Sequence, residues 1–268
     1  MLTTLRLSSA GPTFAYRDSG AGEPVVLIHG VGLQSAAWGP QIAALSDGHR
    51  VIALDMPGHG GSDPLREGAT IEDFVDWCHQ ALDAMQLGAV NLAGHSMGAM
   101  IASGVAVTYP EQVRRVALLN GVHQRSEAAR LAVLSRAAEI HTGKIDIEAP
   151  LTRWFGDTPR ERAASSLTKG WLRQIDPAGY ATAYMAFAGG DTTYSRDLAQ
   201  LACPLMALTG GDDPNSTPQM AKEMAAAVPS GEVVVIEGHR HMVNLTAPDA
   251  VNAHLHAWLD RPQAERKA

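Results

Sequence analysis

The chain has 268 residues, 46% hydrophobic and 18% charged, with 21 Lys+Arg against 28 Asp+Glu and two cysteines. That length accommodates one large domain carrying an insertion, and the hydrophobic fraction is that of a folded globule rather than a disordered chain. A net charge of −7 without clustered Lys/Arg excludes nucleic acid and anionic membrane surfaces as partners, and two cysteines make neither a disulfide framework nor, alone, a zinc site.

Met1 to Pro12 holds one Arg and no apolar run of signal-peptide length, which predicts a cytoplasmic protein. Residues 2–6 and 13–18 read as an antiparallel hairpin at a sheet edge. Short apolar runs rich in β-branched residues then recur at 24–28, 50–54, 89–93, 113–119, 205–209 and 232–236. Runs such as VVLI, VIAL and VVVI do not alternate polar with apolar, so they read as strands of a parallel sheet buried on both faces. The segments between them have helical period, and strand-helix-strand repetition implies an α/β layer structure with helices on both faces.

The rhythm breaks between Val122 and Leu198, where RLAVLSRAAEIH and ERAASSLTKGWLRQI are helical and no strand is convincing. Residues 124–198 are therefore predicted to be a helical lid inserted before the last two strands, with 1–123 and 199–268 forming the core domain. The lid carries 10 Lys+Arg and 9 Asp+Glu, so the acidity lies in the core. It also holds seven of the 14 aromatics, Trp154, Phe155, Trp171, Tyr180, Tyr184, Phe187 and Tyr194, which makes Trp154 and Tyr184 candidates for lining a substrate pocket. The tail from residue 260 to 268 reads as frayed.

From residue 84 to 110 there are 27 residues without a single Asp, Glu, Lys or Arg. Gln86, Asn91, His95, Ser96 and four glycines interrupt the stretch too often for a membrane span. Within it, Gly94-His95-Ser96-Met97-Gly98 follows a predicted strand and opens a predicted helix. A turn that sharp leaves no room for a side chain at 94 or 98 and presents the serine on a strained elbow at a helix N-terminus.

A serine hydroxyl is a poor nucleophile without a base to take its proton, and that base is a histidine held in one tautomer by a carboxylate. Both partners follow in chain order at strand C-terminal ends, where sheets of this kind place their sites. Thr209 leads into Gly210-Gly211-Asp212-Asp213-Pro214, and Ile236 into Glu237-Gly238-His239-Arg240-His241. Each turn offers two candidates. Asp213 is preferred as the acid, with Asp212 capping the turn or facing solvent, and His241 is preferred over His239 as the base. Further ligands at metal spacing are lacking, so no metal is expected. The oxyanion formed at the attacked carbonyl calls for fixed donors. The Met97 amide at the helix N-terminus supplies one, and the Val31 amide in the loop His29-Gly30-Val31-Gly32 supplies the second.

These residues resemble the α/β-hydrolase fold family over nearly the whole chain. The matching elements are HGVG at 29–32, DMPGHGGSD at 55–63, GHSMG at 94–98, GGDDP at 210–214 and GHRHMVNLTAP at 238–248. The family's G-x-x-D pattern set on Gly210 selects Asp213, and its G-x-x-H pattern set on Gly238 selects His241. The lid motifs LTRWF and DPAGY look most like the 3-oxoadipate enol-lactonase branch, which hydrolyses a small lactone bearing carboxylates. Three positions depart from that branch: His95 stands where it often has Leu, His29-Gly30 replaces an Asn-Ser type of sequence, and Thr246 stands where Glu is usual. His95 is accordingly expected to tune the substrate pocket, and Asp55 to brace loops near it.

The resemblance implies a cofactor-free serine hydrolase of a small carboxylic ester or lactone. The lid, more basic than the core, favours an anionic substrate, with Arg153 and Arg173 as candidate partners for its carboxylate because a bidentate guanidinium suits that task. A C–C bond hydrolase of a vinylogous diketone acid uses the same triad. A ligand receptor or a cofactor-free oxygenase would share the scaffold, although receptors of this kind can lose the catalytic residues that are intact here.

Overall fold

The computed structural model describes residues 1–9 and 11–262. Its eight strands are β1 (Leu2–Arg6), β2 (Thr13–Ser19), β3 (Pro24–Ile28), β4 (Arg50–Leu54), β5 (Val90–His95), β6 (Val113–Leu119), β7 (Leu205–Gly210) and β8 (Gly231–Ile236). They form one sheet in the order β1-β2-β4-β3-β5-β6-β7-β8. β2 runs antiparallel to both β1 and β4, and every pairing from β4 to β8 is parallel. This is the α/β-hydrolase architecture, with the N-terminal hairpin at one edge.

Successive side chains of the parallel strands point to opposite faces and enter two separate cores. Val25, Leu27, Val51 and Ala53 pack under α1 (Gly39–Leu45) and α10 (Pro248–Leu259), with Trp38 and Trp258 filling that layer. Val26, Ile28, Ile52 and Leu54 face α2 (Ile71–Ala84), α3 (Met97–Thr108) and α8 (Pro218–Ala226). Burial on both faces explains the non-alternating runs, except in β8. There Glu232 and Val233 are exposed, because β8 is the far edge strand and lacks cover.

The uncharged stretch is the end of α2, then β5, the elbow and α3. Every residue of β5 is buried, as is α3 from Met97 to Ala106. A charge anywhere from Met97 to Ala106 would be buried, and burying an unpaired charge is costly. Cys78, on the α2 face of this core, is a buried thiol pushed up to about 12 by desolvation.

Between β6 and β7 the chain forms α4 (Glu127–His141), α5 (Glu148–Trp154), α6 (Pro159–Leu172) and α7 (Pro177–Gly189). Their starts are locally encoded: Ser126, Thr158 and Asp176 each accept a hydrogen bond from an amide of the first turn, and α6 adds a capping box with Glu161. Buried Asp191 ties the two ends of this segment together, accepting from the Arg125 amide at 2.7 Å and pairing with the Arg125 and Arg130 guanidinia at 3.3 and 2.9 Å. Leu151, Phe155, Ala164 and Leu172 pack on Leu33, Ala37 and Met242, which fixes α5 and α6 above the strand ends.

The tail read as frayed lies outside the described residues from 263 onward. Arg261, just before it, is held: its carbonyl accepts from Arg115 Nε at 2.8 Å, and its Nη1 pairs with Glu232 at 3.0 Å.

Candidate active site

Ser96, between β5 and α3, has φ 54° and ψ −115°, a positive-φ backbone that a side chain adopts only under constraint. The constraint is close packing. A Cβ on Gly94 would overlap the Gly98 carbonyl, and one on Gly98 would overlap the Ile28 carbonyl. The Ser96 amide donates to the Leu119 carbonyl at 2.9 Å, and the Ser96 carbonyl accepts from Ala99 at 3.0 Å, so the turn is anchored on both sides.

His241 and Asp213 meet across 28 residues of chain, with Nδ1 2.7 Å from Oδ2. Both are buried, whereas Asp212 is exposed and donates only its amide, to the His239 carbonyl at 3.0 Å. Burial opposes ionisation of Asp213, but the His241 imidazole and the donors Asn120 and Asn215 outweigh it and hold the carboxyl below its ordinary value. Asn120 Nδ2 reaches Asp213 Oδ2 at 2.8 Å, and the Asn215 amide reaches Oδ1 at 2.8 Å. Asn120 was missed by sequence reasoning. Its signal was modest: a polar residue directly after the buried run VALL, which here takes φ 47° at the end of β6. His239 turns away from His241 and lies 3.0 Å from Thr246 Oγ1.

The HGVG loop is shaped by His29 and His59. The Met56 amide donates to His29 Nε2 at 2.9 Å, so His29 carries its proton on Nδ1 and gives it to the Gly30 carbonyl at 2.8 Å. The Gly32 amide donates to His59 Nε2 at 2.9 Å, and His59 Nδ1 bonds the Pro57 carbonyl at 3.0 Å. Desolvation holds both rings below the ordinary histidine value and so neutral. The Gly32 amide is engaged by His59 and the Leu33 amide by the Gly30 carbonyl, while Val31 lines the same cavity as Ser96. Asp55 spans the next loop, accepting from the amides of Ser35 at 2.6 Å and Gly61 at 3.0 Å.

A cavity of about 520 Å³ lies between α4, α5 and α7 and the strand ends. Val31, Ser96 and His241 line its floor, and Arg153, Trp154 and Tyr184 reach it from the inserted helices. The Trp154 ring lies 5.7 Å from the His241 ring at 32°. Two expected pocket residues are elsewhere. His95 does not line the cavity: it is buried beneath it, with Nε2 2.8 Å from the His241 carbonyl, because adjacent side chains on a sharp elbow diverge. Arg173 caps the exposed C-terminal end of α6 and does not line the cavity.

Arg136 of α4 does line it, beside Arg153 of α5. Neither forms an ion pair with any described residue, and the Nε atom of each is buried without a partner. Asp146, an acid on the same wall, accepts instead from the amides of Glu148 and Ala149. Burial and then the Arg136 charge hold Arg153 below its ordinary value. No spacing in RLAVLSRAAEIH distinguishes Arg136 from a solvated lysine-like position.

Among the described residues no cluster of three His, Cys, Asp or Glu is placed to hold a metal ion, and no helix is long and apolar enough to cross a membrane.

A nucleophile elbow at the end of a central parallel strand, in an α/β layer structure, defines a hydrolase of the α/β class. The chain belongs to the alpha/beta hydrolase family, whose pattern matches residues 25–254. It is 51% identical over 257 residues, 96% of this chain and 97% of the relative, to an (E)-2-((N-methylformamido)methylene)succinate hydrolase of Acinetobacter baylyi. Its fold matches a thermophilic esterase from Thermogutta terrifontis with malate bound (TM-score 0.87, 25% identity, 97% of this chain and 98% of that one). It also matches the enol-lactonase of Burkholderia xenovorans (TM-score 0.84, 26% identity, 94% of this chain and 98% of that one).

Proposed function

We propose that this chain is a serine hydrolase of a small dicarboxylate, cleaving the acyl–nitrogen bond of an N-acyl enamine carried on a succinate skeleton. The observation that carries the reading is the pair Arg136 and Arg153. Two guanidinia that form no ion pair with any described residue line the same cavity as Ser96 and His241, and burial together with the Arg136 charge raises the cost of charging Arg153. A substrate carboxylate between them would relieve that repulsion with charge-assisted hydrogen bonds. The succinate in the name of the 51% identical relative supports the same class.

In this reading Ser96 Oγ attacks the formyl carbon as His241 takes its proton, and Asp213 holds the imidazole tautomer and stabilises the imidazolium. The amides of Val31 and Met97 receive the oxyanion, each contributing about 3 kcal/mol. Collapse breaks the C–N bond, and His241 returns the proton to the departing nitrogen. That nitrogen is conjugated through the double bond with a carboxylate, so it leaves more readily than a simple alkylamine. Water, deprotonated by His241, then cleaves the formyl-serine ester and releases formate. The balance is one substrate and one water to formate and the methylaminomethylene succinate. Trp154 covers the imidazole face and Tyr184 completes the wall of the pocket. The reaction draws on side chains and backbone amides alone.

A second reading, a small carboxylic ester or enol-lactone, is favoured by the fold match to an esterase and an enol-lactonase and uses the same steps with oxygen as the leaving atom. A panel of the N-formyl enamine succinate, a dicarboxylic enol-lactone, p-nitrophenyl esters and a diketone acid, assayed with the native chain and Ser96→Ala, decides between them. Formate release at the highest kcat/KM, lost in Ser96→Ala, is the expected result. Turnover of the neutral esters or the lactone at higher kcat/KM than the amide would move the assignment to the second reading, and turnover of the diketone acid alone would make it a C–C hydrolase.

A further inference from the structure

His95 is buried directly beside the nucleophile in the chain, yet it points away from the cavity. Its Nε2 lies 2.8 Å from the main-chain carbonyl of His241, 146 residues further on. A carbonyl only accepts, so the ring carries its proton on Nε2. Nδ1 is then an acceptor, and it is buried with no partner. It faces Gly30: a Cβ at that position would stand 2.9 Å from His95 Nδ1 and 3.0 Å from Ser96 Cβ. Trp38 closes the remaining side edge-on, at 6.5 Å and 87°.

One imidazole thus contacts the elbow, the HGVG loop and the loop that carries the base. Packing alone does not account for a histidine here, because a leucine would fill a similar space without leaving an orphaned acceptor. What a leucine cannot do is satisfy the buried carbonyl of His241. The titratable groups that face His95 are His241, whose ring is 5.0 Å away, Asp213 behind it, and His29 from the HGVG loop.

We infer that His95 is a positioning residue: its hydrogen bond to the His241 carbonyl locks the base loop onto the nucleophile elbow and sets the imidazole in register with Ser96. His95 touches neither substrate nor a reacting atom. It acts through the main chain of His241, while Asp213 orients the same ring through Nδ1. The inference rests on Ser96, His241 and Asp213 acting together, and it is independent of which substrate the enzyme takes.

The test is the rate at which a fluorophosphonate labels Ser96 in the full chain, measured against pH, with melting temperatures alongside. His95→Leu removes the donor and keeps the bulk. His95→Asn keeps polarity but falls short of the carbonyl. His95→Gln places an amide N–H near the position of Nε2. The Leu and Asn variants should label on the order of 10- to 100-fold more slowly across the pH plateau, the cost expected of a base displaced by a fraction of an ångström to one ångström. Gln should recover most of the rate, and with a turned-over substrate the loss should fall on kcat with KM unchanged. Should the Leu variant fail to fold, Asn against Gln decides the matter. Wild-type labelling rates in Leu and Asn, or a Gln variant as slow as Asn at native melting temperature, would overturn the inference. A wild-type chain that is not labelled at Ser96 would sink the serine-hydrolase reading itself, and this inference with it.

Discussion

Asp213 Oδ2 sits 2.7 Å from His241 Nδ1, and the same oxygen accepts a second hydrogen bond from Asn120 Nδ2 at 2.8 Å. The carboxylate is therefore held between the base it orients and a strand end it does not share. Asp213→Asn should lower kcat by about 10³- to 10⁴-fold, because the amide favours the wrong imidazole tautomer. Exposed Asp212→Asn should leave kcat within about twofold, as expected for a surface change of a few tenths of a kcal/mol. Steady-state kinetics on both variants checks the assignment, and the reverse order would identify Asp212 as the acid.

Removing Asn120 leaves Asp213 with one donor fewer. Asn120→Ala should cost about 1–3 kcal/mol of stability, the usual consequence of leaving a buried polar group with a lost partner. It should also reduce kcat more than it changes KM. Urea unfolding together with kinetics separates the two effects.

The Arg136 and Arg153 pair predicts a charge-specific KM effect. Arg153→Met keeps the apolar stem and removes the guanidinium, so KM for a dicarboxylate should rise by about 10- to 100-fold, the equivalent of one charge-assisted hydrogen bond. A neutral p-nitrophenyl ester should show little change. Equal losses on both substrates would indicate a packing role for Arg153.

Arg240 joins the histidine loop to the inserted helices, donating from Nη1 to the carbonyls of Thr152 at 3.0 Å and Phe155 at 2.8 Å. Those carbonyls flank Trp154, which covers the His241 ring. Arg240→Ala should loosen the contact of α5 with the loop, seen as faster amide exchange in α5 and a lower kcat/KM. Hydrogen exchange by mass spectrometry measures the first, and unchanged protection of α5 would show that the packing of Leu151 and Phe155 holds that helix without the clamp.

Acid should destabilise the fold through its buried neutral histidines. Burial, with the neighbouring His241, pushes His95 down to about 3 from an ordinary 6.5, so the unfolded chain binds the proton more readily than the folded one. The His95 contribution is therefore complete above pH 6.5 and declines as pH falls toward 3, at about 1.4 kcal/mol per pH unit. His29 and His59 are depressed in the same direction and steepen the same limb. Asp213 loses its contribution only at lower pH, through its depressed carboxyl value. In His95→Leu the stability lost between pH 7 and pH 5 should be smaller by about 2 kcal/mol, one proton's share of the slope. Chemical denaturation at the two pH values measures it, and an identical slope would show that His95 does not titrate on unfolding.

Much of this site was legible because it is written in local backbone chemistry. Gly94 and Gly98 bracket a turn that no side chain survives, the runs VVLI and VNLA are buried on both faces, and Asp213 and His241 follow strand ends in a fixed order. Such features depend on residues within one or two turns of each other, so the string of residues by itself determined the α/β class, the elbow and the short lists from which acid and base are drawn. Tertiary structure decided the rest. It turned Asp212 out and Asp213 in, brought Asn120 to that carboxylate from another strand, swung His95 beneath the site instead of into it, and set Arg136 beside Arg153 from two different helices. Each of these is a meeting of side chains from elements far apart in the chain, and where such side chains converge follows from how the helices and sheet pack, which no local spacing records.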